Sequence, residues 1–126
     1  MIKYIIDSYA WIEYFEGSRK GEKVKVILEK NECFTSSLSV AEVAVKFIKN
    51  SKNASEPCAI ISNLSKELAV DHGIAFSAAT LYVEKRKSIK DIGIVDVIII
   101  AQARENNLVI LTGDEHFKDE PNTLLI

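Results

Sequence analysis

Apolar residues fall into short blocks along the chain, and the spacing inside each block predicts its secondary structure. Short apolar runs that contain β-branched or aromatic residues predict strands at 2–6, 33–35 and 108–111, with 122–126 as a further candidate. Apolar residues three or four positions apart predict helices at 8–16, 20–30, 39–49, 58–68, 74–87 and 94–104. Residues 69–71 fit either a strand or a connector. Polar segments at 50–57 and 90–93 predict loops.

Strands that alternate with helices predict an α/β fold. Such a chain forms a parallel sheet, here of about four or five strands, with helices packed on both of its faces. The 126 residues suffice for a domain with its own core, and we expect a single domain over 1–126. Hydrophobic residues make up 48% of the chain and charged residues 27%, which is typical of a globular protein.

The sequence also predicts a cytoplasmic protein. No run reaches the ~20 apolar residues of a membrane span, because Asp96 interrupts the longest one, 92–101. The N-terminus leads directly into the first strand, without the features of a signal peptide. In the cytoplasm Cys33 and Cys58 would stay reduced, and we expect them to be small core residues. The net charge of −2 neither indicates nor excludes binding to nucleic acid.

Four acidic residues interrupt apolar sequence at the ends of predicted elements. Asp7 follows the first strand, and Asp114 follows the strand at 108–111. Glu42 and Asp96 lie near the starts of apolar helices. Ligands of open α/β sheets gather at the carboxyl ends of the strands, so we expect all four side chains to meet at one edge of the sheet.

Each acid also has a local interpretation that involves no ligand. Asp7 fits a helix cap, and Glu42 fits a capping box with Ser39. Asp114 fits a turn in which its side chain accepts from a nearby backbone N–H. Asp96 fits the positive end of the helix that it begins. These interpretations do not explain why all four acids stand in apolar surroundings.

Four adjacent carboxylates would repel one another and would remain ionised only with a cation among them. An all-oxygen site favours Mg²⁺ or Mn²⁺ over zinc, and such ions suit the hydrolysis of phosphodiesters. The two histidines, His72 and His116, have no ligand spacing. His116 is close enough in sequence to Asp114 to face the site, but we expect it at the surface. The chain has neither a glycine-rich phosphate loop nor a Ser-His-Asp set.

The combination of motifs resembles the PIN-domain ribonucleases, and in particular the toxins of VapBC toxin–antitoxin pairs. The matching segments are Ile5–Ser8, Leu38–Glu42, Ile94–Ala101 and Leu111–Phe117. They occur in the family's order and span nearly the whole chain. The resemblance implies a PIN-like fold, an RNA substrate, an antitoxin protein as partner, and a homodimer.

The resemblance also implies roles for individual residues. Asp7 and Asp96 would be the most direct ligands of one or two Mg²⁺ or Mn²⁺ ions. Glu42 and Asp114 would bind a second ion or orient a metal-bound water. Hydroxyl groups that support the acids would belong to Ser8 and Thr112. Asp91 is an alternative to Asp96 as the acid of this segment, but it lacks the apolar surroundings of Asp96.

Two further groups have open interpretations. The basic residues Lys85, Arg86, Lys87 and Lys90, with Lys46 and Lys49 on the Glu42 helix, fit either RNA contacts or a solvated surface. The aromatic residues Trp11, Tyr14 and Phe15 fit either a partner-binding groove or the core.

Two other function classes fit parts of the pattern. A phospho-accepting receiver is also a parallel α/β domain with an acidic Mg²⁺ pocket, although Ser8 stands where it has a second acid. A non-catalytic RNA- or protein-binding module with the same fold is the other alternative.

Overall fold

The computed structural model describes all 126 residues of the chain. The strands are β1 (Tyr4–Ile6), β2 (Cys33–Ser36), β3 (Lys66–Leu68), β4 (Val109–Thr112) and β5 (Thr123–Leu125). The helices are α1 (Ser8–Glu16), α2 (Arg19–Lys30), α3 (Ser37–Lys49), α4 (Ser55–Leu64), α5 (His72–Lys85) and α6 (Ile94–Asn106). A single 3₁₀ turn, Glu115–Phe117, follows β4.

The five strands form one parallel sheet in the order β3-β2-β1-β4-β5. This confirms the predicted α/β fold. Tyr4 of the central strand is in register with Cys33 on one side and with Val109 on the other. The order differs from the 2-1-3-4-5 order of receiver domains, so the topology argues against the phospho-accepting alternative.

The core has two halves, one on each face of the sheet. Successive side chains of a strand point to opposite faces, so Ile5 and Ile6 of β1 enter different halves. Ile5 packs with the buried face of α6 and with Ile74 and Ala78 of α5. Ile6 packs with residues of α1 to α4, among them Trp11 and Val43. Helix α6 is buried over most of its circumference, as its apolar sequence predicts.

Ion pairs of a buried glutamate hold the C-terminal segment against the core. The Glu120 side chain is only 4% exposed, and both of its oxygens accept hydrogen bonds from Arg104, at 2.9 Å and 2.8 Å. The ammonium group of Lys85 lies 3.2 Å from the same carboxylate. Residues from α5, α6 and the approach to β5 thus share one ion cluster. Each helix of the fold is too short or too polar to span a bilayer.

The structure corrects three local predictions. The helix predicted at 58–68 begins earlier, at Ser55, and ends at Leu64, since Ser65 is extended and leads into β3. The strand considered at 69–71 therefore lies three residues earlier, at Lys66–Leu68. Helix α3 begins at Ser37, and its cap is Ser36, whose hydroxyl accepts from the Leu38 N–H at 3.3 Å. The predicted capping box of Ser39 and Glu42 does not form.

Candidate metal centre

The four predicted acids meet at the carboxyl edge of the sheet. Asp7 follows β1, Asp114 follows β4, and Glu42 and Asp96 lie in the first halves of α3 and α6. The four charges are close enough to repel one another. Glu42 and Asp96 raise the pKa of Asp7, Asp114 raises that of Asp96, and Asp96 and Asp114 both raise that of Glu42. The convergence expected from the sequence is therefore present in the fold.

Asp7 is the most buried of the four, with 4% of its surface exposed. Its Oδ2 accepts a hydrogen bond from the Thr112 hydroxyl at 2.8 Å, and its side chain does not cap α1. Burial raises the pKa of Asp7 to about 7, and repulsion from Glu42 and Asp96 adds to the rise, while the Thr112 bond opposes it. Without a nearby cation, ionising this carboxyl group is costly.

Thr112 connects two of the acids. Its hydroxyl donates to Asp7 and accepts the backbone N–H of Asp114 at 3.0 Å. Asp114 Oδ1 in turn accepts the backbone N–H of His116 at 2.9 Å, which is the local turn interaction that its sequence position predicts. The turn leaves the carboxylate of Asp114 beside the other acids, so the local interpretation and the site are compatible.

Asp96 lies in the first turn of α6, where the backbone N–H of Gly93 donates to its Oδ2 at 3.3 Å. The side chain is 20% exposed. Burial raises the pKa of Asp96, and the charge of Asp114 raises it further, although the Gly93 bond opposes both effects. The partial desolvation expected from its apolar surroundings is thus present.

Glu42 is the most solvent-accessible of the four acids, and it faces Ser8 across the site. Partial desolvation raises the pKa of Glu42, the charges of Asp96 and Asp114 raise it further, and the Ser8 side chain lowers it. Ser8 therefore lies beside Glu42, while Thr112 contacts the Asp7 side chain and the Asp114 backbone.

His116 faces the acids, as its place two residues after Asp114 allowed, while its side chain remains 29% exposed. Its Nδ1 is 3.0 Å from Asp114 Oδ1 and 3.6 Å from Asp96 Oδ2. Its Nε2 is 3.2 Å from an oxygen of Asp91, whose side chain is 83% exposed. The neighbouring Asp91, followed by Asp114 and Asp96, raises the pKa of His116. Asp91, the predicted rival of Asp96, lies on the outer side of the imidazole.

The sequence held one signal for His116, which is its position two residues after Asp114. Because Asp114 caps the 3₁₀ turn through the His116 N–H, the turn brings both side chains to the same side. Apolar periodicity does not detect such a residue, since the turn is too short to have a period.

The residues present fit a divalent cation. The four carboxylates supply oxygen donors, the atoms that Mg²⁺ and Mn²⁺ prefer. One donor atom from each of Asp96, Asp114 and His116 lies within 4.8 Å of the other two. Burial, and then repulsion among the acids, raises the pKa values of Asp7, Glu42 and Asp96, so a cation among them would favour their ionised forms.

The comparisons with known proteins agree with this arrangement. The family model described as "PIN domain" matches residues 4–121. The chain belongs to the PIN domain family. No curated protein matches its sequence.

Solved structures with the same fold include proteins of toxin–antitoxin systems. A toxin–antitoxin complex from Klebsiella pneumoniae is 20% identical, with 96% of this chain and 95% of that chain covered and a TM-score of 0.77. VapBC2 from Rickettsia felis, bound to a promoter DNA fragment, is 19% identical over 99% and 98% of the chains, with a TM-score of 0.78. VapC20 from Mycobacterium tuberculosis, described as a toxin that cleaves the sarcin-ricin loop, is 17% identical over 94% and 95%, with a TM-score of 0.78.

The six basic residues that the sequence suggests as RNA contacts divide into two groups. Three of them already have partners: Lys85 contacts Glu120, Lys87 contacts Glu84 at 3.1 Å, and Arg86 donates to the Ile92 carbonyl at 3.1 Å. Lys85 is also only 17% exposed. The other three predicted RNA contacts, Lys46, Lys49 and Lys90, are exposed and make no ion pair or side-chain hydrogen bond.

The aromatic residues of α1 divide between the two predicted roles. Trp11 is fully buried, and its indole N–H donates to the Thr35 hydroxyl at 3.0 Å, so it is a core residue. Phe15 is half-buried and packs edge-on against Phe47, with 5.7 Å between the ring centroids. Both phenylalanines line a groove of about 540 Å³ beside Lys46 and Lys52.

Proposed function

We propose that this PIN domain is a metal-dependent endoribonuclease that hydrolyses RNA phosphodiester bonds, and that it is the toxin of a VapBC-type pair. The observation that carries the proposal is the meeting of four carboxylates at one edge of the sheet, where burial raises the pKa of three of them and no lysine or arginine forms an ion pair with any of the four. The cofactor would be Mg²⁺ or Mn²⁺.

In this proposal Asp7 and Asp96 hold the ion, while Glu42 and Asp114 bind a second ion or orient a water. A bound divalent ion would lower the pKa of a water and stabilise charge on the phosphate. The Thr112 hydroxyl fixes the orientation of Asp7, and the Gly93 N–H fixes that of Asp96. Both carboxylates are thus held in place before an ion binds, which reduces the cost of reorganisation.

RNA contacts would come from basic residues near the acids. Lys46 and Lys49 lie four and seven residues after Glu42 on α3, and therefore on the same face of the helix. The loop that begins α6 carries Lys90, and Arg86 and Lys87 precede it. Lys85 is the weakest of the candidates because Glu120 already neutralises it. The description of VapC20 as a sarcin-ricin loop cleaving toxin favours a structured RNA as substrate.

The partner would be an antitoxin protein, and the toxin itself would be a cytoplasmic homodimer. Several proteins with this fold were solved as toxin–antitoxin complexes, which supports the first part of this proposal. The groove lined by Phe15 and Phe47 offers an apolar surface. Its rim carries both basic and acidic side chains, namely Lys46, Lys52, Glu16 and Glu56, which suits an amphipathic partner segment.

Cleavage of a defined panel of RNAs by the purified protein, with Mg²⁺ or Mn²⁺ added, tests the activity. Asp96→Asn keeps the shape of the side chain but removes its charge, so cleavage should fall by at least about a hundredfold. The matched control is Asp119→Asn, since Asp119 is exposed and makes no ion pair. Undiminished cleavage by folded Asp96→Asn would contradict the assignment. An inactive protein that binds neither ion would favour a non-catalytic binding module.

A further inference from the structure

The imidazole of His116 lies between the acidic site and a carboxylate outside it. On the inner side, Nδ1 faces oxygens of Asp114 and Asp96, at 3.0 Å and 3.6 Å. On the outer side, Nε2 lies 3.2 Å from Asp91. The proposed catalytic set of four acids gives this residue no role.

The inner nitrogen has no hydrogen-bond partner. His116 Nδ1 is buried and makes no hydrogen bond, although Asp114 Oδ1 is close to it. If Nε2 carries the proton and donates it to Asp91, Nδ1 presents a lone pair toward two carboxylates. Three acceptors that face one another are unfavourable unless a positive charge lies among them, either a second proton on the imidazole or a bound cation.

The spacing of these atoms suits ligands of one ion. Adjacent donors of an octahedral ion, with bonds of about 2.1 Å, lie about 3 Å apart. The 3.0 Å and 3.6 Å separations from Nδ1 to Asp114 and Asp96 fall close to this value. The three donor atoms share a space no wider than 4.8 Å.

The outer contact matches the usual environment of a metal-binding histidine. Such histidines donate their second ring N–H to a carboxylate or carbonyl, which fixes the tautomer and the orientation of the ring. Asp91 occupies this position, and its loop is anchored because Arg86 donates to the Ile92 carbonyl while Ile92 is fully buried.

We propose that Nδ1 of His116, together with Asp96 and Asp114, binds a divalent ion in this site, and that Asp91 orients the imidazole. This inference rests on the proposed function and adds a nitrogen ligand to it. Imidazole binds transition-metal ions well, whereas Mg²⁺ prefers oxygen. The site therefore favours a divalent transition-metal ion over Mg²⁺.

Electron spin-echo measurements on the Mn²⁺-loaded protein test the proposal directly. A bound imidazole gives a nitrogen coupling in the Mn²⁺ signal, and the chain has only two histidines, so the assignment is simple. We expect the coupling in the wild type and in His72→Gln, because His72 is exposed at the start of α5. The coupling should be absent in His116→Gln.

Calorimetric titrations with Mn²⁺ and with Mg²⁺ give a second measurement. His116→Gln should raise the Kd for Mn²⁺ by roughly tenfold or more, and Asp91→Asn should raise it by a smaller factor. The Kd for Mg²⁺ should change by less than about threefold in either variant, because Mg²⁺ gains little from imidazole.

The outcomes separate this inference from the proposed function. If Mn²⁺ binds to the wild type without a nitrogen coupling, His116 is not a ligand, while the acidic site stands. The wild-type spectrum decides this point even if a variant fails to fold. If Mn²⁺ does not bind at all, or binds equally well to Asp96→Asn, both the inference and the proposed metal site are wrong.

Discussion

At the scale of single residues, one hydroxyl group organises the centre of the site. Thr112 donates to Asp7 and accepts from the backbone of Asp114, so two acids from opposite ends of the chain share one oriented contact. The sequence predicts the four acids because each interrupts an apolar segment. It does not predict His116, whose place depends on a three-residue turn and on the loop that carries Asp91.

The high pKa of Asp7 predicts how the stability of the protein without divalent ions depends on pH. Burial raises the pKa of Asp7 from 3.8 to about 7, so between these values the folded protein binds more protons than the unfolded chain. The free energy of unfolding then falls as pH rises through this window, by up to roughly 4 kcal/mol. Glu42 and Asp96, whose pKa values are also raised, contribute with the same sign.

Denaturant unfolding in a chelator, from about pH 4 to above pH 7, measures this dependence. Asp7→Asn should remove much of the fall, because an amide does not ionise. Saturating Mn²⁺ should also reduce it, since a cation favours the ionised acids. A wild-type protein whose stability rises steadily over this range would contradict the prediction.

Gly113 is the residue where a small substitution should disturb the site most. A Cβ at this position would overlap the ring of Tyr9 and force a shift between Thr112 and Asp114. We expect Gly113→Ala to lower the free energy of unfolding by about 1–3 kcal/mol and to reduce RNA cleavage.

A second substitution tests the cause of this effect. Tyr9→Ala removes the ring and should recover most of the stability lost in Gly113→Ala, as a double-mutant cycle would show. Gly73→Ala is the matched control, because a Cβ there meets only a side-chain oxygen at an ordinary 3.5 Å. If Gly113→Ala lowers the free energy of unfolding equally in the wild type and in Tyr9→Ala, the overlap with the ring is not the cause.

At the scale of elements, the predictions succeed where an element has an apolar sequence and fail where its residues are polar. The core strands β1 and β4 and the buried helix α6 appear as continuous apolar segments in the sequence. Strand β3 lies at the edge of the sheet with Lys66 and Glu67 exposed, so it has no apolar signal and resembles the end of a helix. Its place is set by pairing with β2, which a local pattern does not contain.

The ion cluster around Glu120 should hold the C-terminal segment against α5 and α6. Glu120→Gln leaves the partly buried ammonium of Lys85 and the guanidinium of Arg104 without their charged partner. We expect the free energy of unfolding to fall by roughly 2–3 kcal/mol, measured by denaturant unfolding. The control is Glu105→Gln on the exposed side of α6, which should change stability by less than about 0.5 kcal/mol. Equal effects of the two substitutions would show that the cluster contributes little.

At the scale of the whole molecule, the alternation of strands and helices predicts the fold class and the edge at which the acids meet. It does not predict the strand order, which depends on pairing between distant segments. The central strand β1 pairs with β2 and with β4, and β4 lies near the other end of the chain. The same topology places Asp7 beside Thr112, which is 105 residues away in sequence.

This long-range pairing has a consequence for the order of events during synthesis. Asp7 is made early, but β4, the strand that completes its surroundings, is made more than a hundred residues later. Contacts between distant segments form late in folding. A nascent chain without β4 has neither the Thr112 hydroxyl nor Asp114. If the domain is a nuclease, it therefore stays harmless to the ribosome that makes it until translation has passed Asp114.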